Sequence, residues 1–323
     1  MSSAHRDQAL DALLHPFAEG ALRWPQPGLL QSGPLQNGVL FLRAREGAAL
    51  HGIGPRAFAA TQPFKPEADK LERIGAELLD EDALPRAAFP LVLVLPPRQR
   101  EEARALLAKA CAACARDGIV VAAVANDEGA KSREADLKRL AGEVATISKH
   151  HCRVSWTRPG AAFDADLIAQ WAKSDAPRRQ QDAEAPGGGF HTRPGVFAWD
   201  RIDAASKLLA THLPAELQGR VADFGAGWGY LALQALARCP RVASLDLFEA
   251  DARALALARD NLRDARVPAG FHWHDVANGV AERFDAIVCN PPFHALGRGE
   301  RPDIGRAFIA SAANALNPGG ALW

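Results

Sequence analysis

Val221-Ala222-Asp223-Phe224-Gly225-Ala226-Gly227-Trp228-Gly229 closes a short apolar strand and opens a helix. Glycines at 225 and 227 let the backbone take positive φ and pass close to a ligand, which a side chain would forbid. The spacing G-x-G-x-G departs from the G-x-G-x-x-G of dinucleotide sites, and an acid, Asp223, sits two residues before the first glycine. A second apolar strand, Leu245-Asp246-Leu247-Phe248-Glu249, ends in an acid 20 residues after Gly229. A carboxylate at that strand end can accept both hydroxyls of a ribose. Asp246 competes for the role but lies inside the strand, so Glu249 is the better candidate.

Two more strand ends carry chemistry. His272-Trp273-His274-Asp275 places a third acid after the next strand, where it can accept from an exocyclic amine. Phe284-Asp285-Ala286-Ile287-Val288-Cys289 then runs into Asn290-Pro291-Pro292-Phe293-His294. Asn290 supplies a side-chain carbonyl and Pro291 a carbonyl at a fixed angle, together a grip for a planar –NH2 group. Phe293 offers a face on which a base can stack. Each acid singly reads more readily as a cap or turn residue than as a ligand contact. In series, on one carboxyl edge of a parallel sheet, they mark the place where open α/β sheets bind ligands.

Strand and helix alternate across the whole chain, so the fold class is α/β. Before residue 176 the pattern predicts strands at 38–44, 90–95, 119–125 and 153–156, and helices at 67–79, 98–116, 132–141 and 164–173. After residue 195 it predicts helices at 201–213, 230–238, 251–264 and 304–315, with strands at 220–223, 242–248, 270–274, 284–289 and 320–323. The stretch 176–195 is rich in Pro, Gly and charge and shows no hydrophobic period, so it reads as the seam between domains 1–185 and 186–323. The halves echo one another. Leu91–Pro97 leads through a helix to Asp117–Ala122, as Ile287–Pro292 leads through a helix to Pro318–Trp323. Leu95 stands where Asn290 stands, and no glycine turn precedes it, so the first domain is expected to be a catalytically empty copy. The chain ends as its last strand begins, so the second sheet is expected to lack its final strands.

Composition narrows the rest. Of 323 residues, 48% are apolar and 24% charged, as in soluble globular proteins. Lys+Arg equals Asp+Glu at 38 each, so a nucleic-acid contact must come from local clusters. Arg298, Arg301 and Arg306, with Arg178 and Arg179 weaker, are candidates for phosphates, against the plainer reading of solvated arginines. Five cysteines make no secreted framework, and Cys111-x-x-Cys114 lies on an alanine-rich helix without a second ligand pair. No stretch approaches ~20 apolar residues and no leader pattern opens the chain, so a reducing cytoplasm fits best.

This arrangement resembles the class I S-adenosylmethionine (SAM)-dependent methyltransferases with an Asn-Pro-Pro-Phe motif. More narrowly, it resembles the bacterial ribosomal RNA guanine-N2 methyltransferases. The narrower likeness rests on Pro194-Gly195-Val196-Phe197, Asp203 in the following helix, and Asn290–His294. It implies two tandem Rossmann-like domains, the first degenerate, with no cofactor and a role in RNA binding or as a scaffold. It implies SAM held by Phe197, Asp223, Gly225, Gly227, Glu249 and Asp275, and a target base gripped by Asn290, Pro291 and Phe293. The chemistry requires neither a metal nor a strong general base, and the partner would be ribosomal RNA or a ribosomal subunit. Ala226 stands where the family usually carries cysteine. Glutamine N5 methylation of a protein and adenine N6 methylation of nucleic acid use the same grip and stay open. So does a non-enzymatic RNA-binding scaffold.

Overall fold

The computed structural model describes residues 7–25, 38–54, 58–292 and 302–323. Phe293, His294, Arg298 and Arg301 lie outside them. Two compact units result: Met1–Gln62 with Glu67–Ala176, and Pro63–Pro66 with Pro177–Trp323.

The first unit holds β1 Val39–Leu42, β2 Ala59–Thr61, β3 Glu77–Leu78, β4 Phe89–Val94, β5 Cys114–Ala125, β6 Val144–Lys149 and β7 Cys152–Thr157 in the order β3-β2-β1-β4-β5-β7-β6. β7 runs antiparallel to both its neighbours and the other pairs are parallel. The second unit opens with an antiparallel hairpin, β8 Arg178–Gln181 and β9 Gly189–Thr192. Its sheet comprises β10 Gln218–Phe224, β11 Arg241–Glu249, β12 Ala269–Trp273, β13 Phe284–Cys289 and β14 Leu316–Leu322, all parallel, in the order β12-β11-β10-β13-β14. Central strands with side chains covered on both faces read as apolar runs, which is why β4 and β13 are legible in sequence. The second sheet repeats the first five strands of the first.

The echo extends to register. Leu42 pairs with Val94 in the first sheet and Phe224 with Cys289 in the second, so Leu95 occupies the place of Asn290 and Arg43 the place of Gly225. Arg43 keeps the left-handed backbone of that place, φ 55° against 76°. Its guanidinium donates to Glu81 at 2.6 Å and to Glu102 at 2.8 Å, so an ion-pair cluster fills the edge that the second unit leaves to glycines.

Several expectations need correction. The helix read over 67–79 stops at Arg73, because Gly75 turns the chain at φ 84° and Glu77–Leu78 joins the sheet edge. The helix read over 98–116 spans Arg100–Ala113, and Cys114 begins β5, so Cys111 and Cys114 do not share a helix face. Both thiols are buried, and burial raises Cys114 to about 12, far from a reactive thiolate. The patternless stretch 176–195 contains the β8–β9 hairpin. The last strand starts at Leu316 rather than Gly320. The sequence pattern does not predict the helix Gln8–Ala18, β2 or β6; β2 has three residues, and every residue of the edge strand β6 is at least partly exposed.

Candidate active site

The glycine turn, the strand-end acids and Asn290 stand on the carboxyl edge of the second sheet. Phe224 N-terminal to the turn and Cys289 N-terminal to the Pro-Pro pair are register partners, so Gly225 and Asn290 emerge side by side. The amides of Gly225 and Ala226 both donate to the Phe248 carbonyl, at 2.9 and 3.1 Å, which ties the turn to β11. Gly225, Gly227 and Gly229 have φ of 76°, 55° and 93°. A Cβ at Gly229 would lie 2.8 Å from Leu262 Cδ1, whereas one at Gly227 would meet nothing within 4 Å. Gly229→Ala therefore loses roughly 2–4 kcal/mol of stability in a denaturant melt, from a left-handed alanine plus a packing clash. Gly227→Ala loses only the backbone part, about 1 kcal/mol. Gly229 thus serves packing, and Gly227 borders open space.

The Asn290 side chain is held through its donor side. Its Nδ2 donates to Asp203 Oδ2 at 3.0 Å and to Ser206 Oγ at 2.8 Å. With both donor directions engaged, the amide cannot flip without losing both bonds, and Oδ1 is left as an acceptor. Asp203 is itself held, capping the helix Ala204–His212 by accepting from the Ser206 amide at 2.9 Å. Asn290 lines a small cavity of about 60 Å³ with Asp203, Ser206, Phe197 and the turn Gly225–Trp228. Phe197 is 68% exposed on its rim, and Ala198 follows in a left-handed conformation, φ 51°.

The acids behave differently from one another. Asp223 is fully buried among Val221, Leu247 and Val288; Oδ2 accepts from Ala232 N at 3.0 Å, while Oδ1 is buried with no hydrogen-bond partner. Burial raises its carboxyl to about 7, against the Ala232 bond. Glu249 is also raised to about 7 by burial; its oxygens accept from Gly227 N at 2.7 Å and Asp251 N at 2.8 Å, so it braces the glycine turn. Asp246 accepts from Arg220 at 2.9 Å and pairs with His272 at 2.8 Å, a mid-sheet role away from the edge. Asp275 accepts from Ala277 N and Asn278 Nδ2 in the turn that follows β12. Cys289 lies beside Asp223, its thiol pushed up by burial and by that carboxyl.

Ser206 carried no signal as a site residue, although Asp-x-x-Ser at 203–206 has the form of a helix cap. Pro63–Pro66 was missed as well: Phe64 bridges to Asp251, and the Pro63 carbonyl accepts from Trp273 Nε1 at 3.0 Å, just beyond Glu249. Arg178 stacks over Trp199 at 4.7 Å and Arg179 donates to Gly187 O, so the hairpin uses both. Arg306 is exposed on the helix Pro302–Asn314. Among the described residues no cluster of His, Cys, Asp or Glu has metal-site geometry, and no helix is long and apolar enough to cross a membrane.

Residues 187–323 match the family profile "Methyltransferase small domain". A protein of Psychromonas ingrahamii named ribosomal RNA small subunit methyltransferase C is 28% identical over 235 residues, covering 72% of this chain and 66% of that protein. The namesake from Shewanella denitrificans is 36% identical over 129 residues, 40% of this chain and 36% of its own length. The chain thus spans less than two thirds of these relatives. A solved structure of a T. thermophilus 16S rRNA N2 methyltransferase, in complex with AdoMet and guanosine, superposes with a TM-score of 0.74 at 22% identity, covering 99% of this chain and 83% of that one. The two chains share a fold.

Proposed function

We propose that this chain, whose residues 187–323 match the methyltransferase small domain, is a SAM-dependent enzyme that methylates the exocyclic N2 amine of a guanine in ribosomal RNA. The observation that carries the proposal is the Asn290 amide, locked by Asp203 and Ser206 with Oδ1 left to accept, beside a glycine turn on the same sheet edge.

The residues fit the cofactor. The unpartnered Asp223 Oδ1 is a buried acceptor of the kind an ammonium satisfies, and Gly227 leaves space where a side chain would intrude. In this reading Asp223, Gly225 and Gly227 take the methionine end, Glu249 the ribose and Asp275 the adenine amine, with Phe197 at the rim. SAM supplies a methyl already activated by its sulfonium. The chain's own task is to present the amine. A guanine N2 lone pair is delocalised into the ring and is a poor nucleophile. Asn290 Oδ1 and the Pro291 carbonyl would accept its two N–H groups and favour a pyramidal nitrogen with an exposed lone pair; once methylated, the nitrogen would give up one proton to water. Such alignment contributes up to about 7 kcal/mol. The base must leave its stack, and stacking on Phe293 would return about 1–3 kcal/mol. The first unit, with Arg43 and Leu95 at the positions of Gly225 and Asn290, would bind no cofactor and would act as scaffold or RNA contact in a cytoplasmic enzyme.

The test is a substrate panel with labelled SAM: bare ribosomal RNA, isolated small and large ribosomal subunits, DNA and a release factor. Label entering ribosomal RNA, free or in the small subunit, is the expected result. Label in the release factor would instead indicate glutamine methylation, and SAM binding without transfer to any arm would leave a non-catalytic module.

A further inference from the structure

Asn261 ends the helix Ala252–Asn261 and belongs to no motif read from the sequence. Its side-chain amide makes three hydrogen bonds. Oδ1 accepts from His191 N at 2.6 Å, and Nδ2 donates to His191 O at 2.9 Å and to Trp228 O at 2.8 Å. The two bonds to His191 imitate a neighbouring strand, pinning β9. The third holds a carbonyl inside the glycine turn. From the same hairpin, the Phe190 ring lies flat on Trp228, centroids 3.9 Å apart and planes 5° from parallel, and both rings are buried. Trp228 in turn meets Tyr230 edge-on at 5.6 Å.

A turn with left-handed glycines at 225, 227 and 229 has many alternative conformations open to it, and a ligand that must order it binds more weakly. Here the turn is ordered from behind. We propose that Asn261 is a positioning residue for the cofactor: through the Trp228 carbonyl and the β8–β9 hairpin it keeps the Gly225–Gly227 backbone in the shape that receives the methionine end of SAM. The hairpin is then part of the cofactor site, although it carries none of the ligand-facing acids. This rests on the SAM reading above.

Isothermal titration of the full chain with SAM, and steady-state kinetics on ribosomal RNA, test it. Asn261→Ala should weaken SAM binding about tenfold or more, with a matching rise in KM for SAM and kcat changed by less than about threefold. Asn261→Asp keeps the acceptor for His191 N but loses both donors, and should behave like the alanine variant. A general loss of stability would lower the active fraction without that split between KM and kcat. A second measurement needs no variant: amide hydrogen exchange of the wild type with and without SAM should show slowing at residues 189–192 together with 225–229. If the wild type binds SAM, then equal affinity in the variants, or exchange that changes only outside the hairpin, overturns the inference and leaves the SAM reading intact. A wild type that does not bind SAM overturns both.

Discussion

Asn290→Ala is expected to lower the rate of the proposed methyl transfer by on the order of 10²–10³-fold while SAM affinity stays within about twofold. The asymmetry follows from placement. Asn290 follows β13 and its Oδ1 is the acceptor left over once Nδ2 is bound to Asp203 and Ser206. The acids assigned to SAM stand on β10, β11 and beyond β12. In the proposed reading, removing the amide would take away the grip on the target amine and leave the cofactor residues in place. Asp203→Ala and Ser206→Ala should each slow transfer by about tenfold, since either loss lets the amide reorient. Combined with Asn290→Ala they should add almost nothing, because their effect passes through that amide. Asp203→Ala also removes a helix cap, worth about 1 kcal/mol of stability. Rates are therefore compared at a temperature where all variants remain folded. Wild-type turnover by Asn290→Ala would strip the residue of its role.

The second large effect is in pH. Asp223 and Glu249 are each raised to about 7, first of all by burial. Above about pH 4 the unfolded chain holds both carboxyls ionised, whereas the ligand-free folded chain keeps them protonated until about 7. The folded state binds more protons across that window, so ligand-free stability falls as pH rises through it. In the proposed reading an ammonium against Asp223 and ribose hydroxyls against Glu249 would favour the ionised forms, so SAM binding would release protons there. SAM affinity should accordingly rise roughly tenfold between pH 5.5 and 7 for each carboxyl that titrates, measured by calorimetry in buffers of different ionisation heat. Asp223→Asn should reduce the dependence to the share carried by Glu249. An affinity flat over this range would remove the ammonium-binding role from Asp223.

How much of this was legible in sequence depends on where the chain is punctuated. Helix Tyr230–Arg238 and strand β13 have the boundaries read from sequence, because Gly229 starts one and Asn290-Pro291-Pro292 stops the other. The helix before β5 overran, because an alanine-rich run passes into the strand at Cys114 without a Gly or Pro between them. The strand-end acids read as a series in the sequence, yet their work differs. Asp223 is buried, Glu249 braces Gly227, and Asp275 closes its own turn. No periodicity distinguishes these cases, since each depends on partners set by packing. The same holds for the Asn290 amide, whose partners lie 84 and 87 residues upstream. The hairpin was missed because Arg178-Arg179-Gln180-Gln181 has no apolar face; its pairing with Gly189–Thr192 is stabilised by Phe190 on Trp228 and by Asn261.

The most direct test is nucleoside mass spectrometry of ribosomal RNA after incubation with the protein and SAM carrying a deuterated methyl group. The Asn290 grip predicts the heavy methyl on N2 of guanine and its disappearance with Asn290→Ala. Heavy methyl on adenine N6, or on guanine N2 in equal yield from the Asn290→Ala protein, would contradict it.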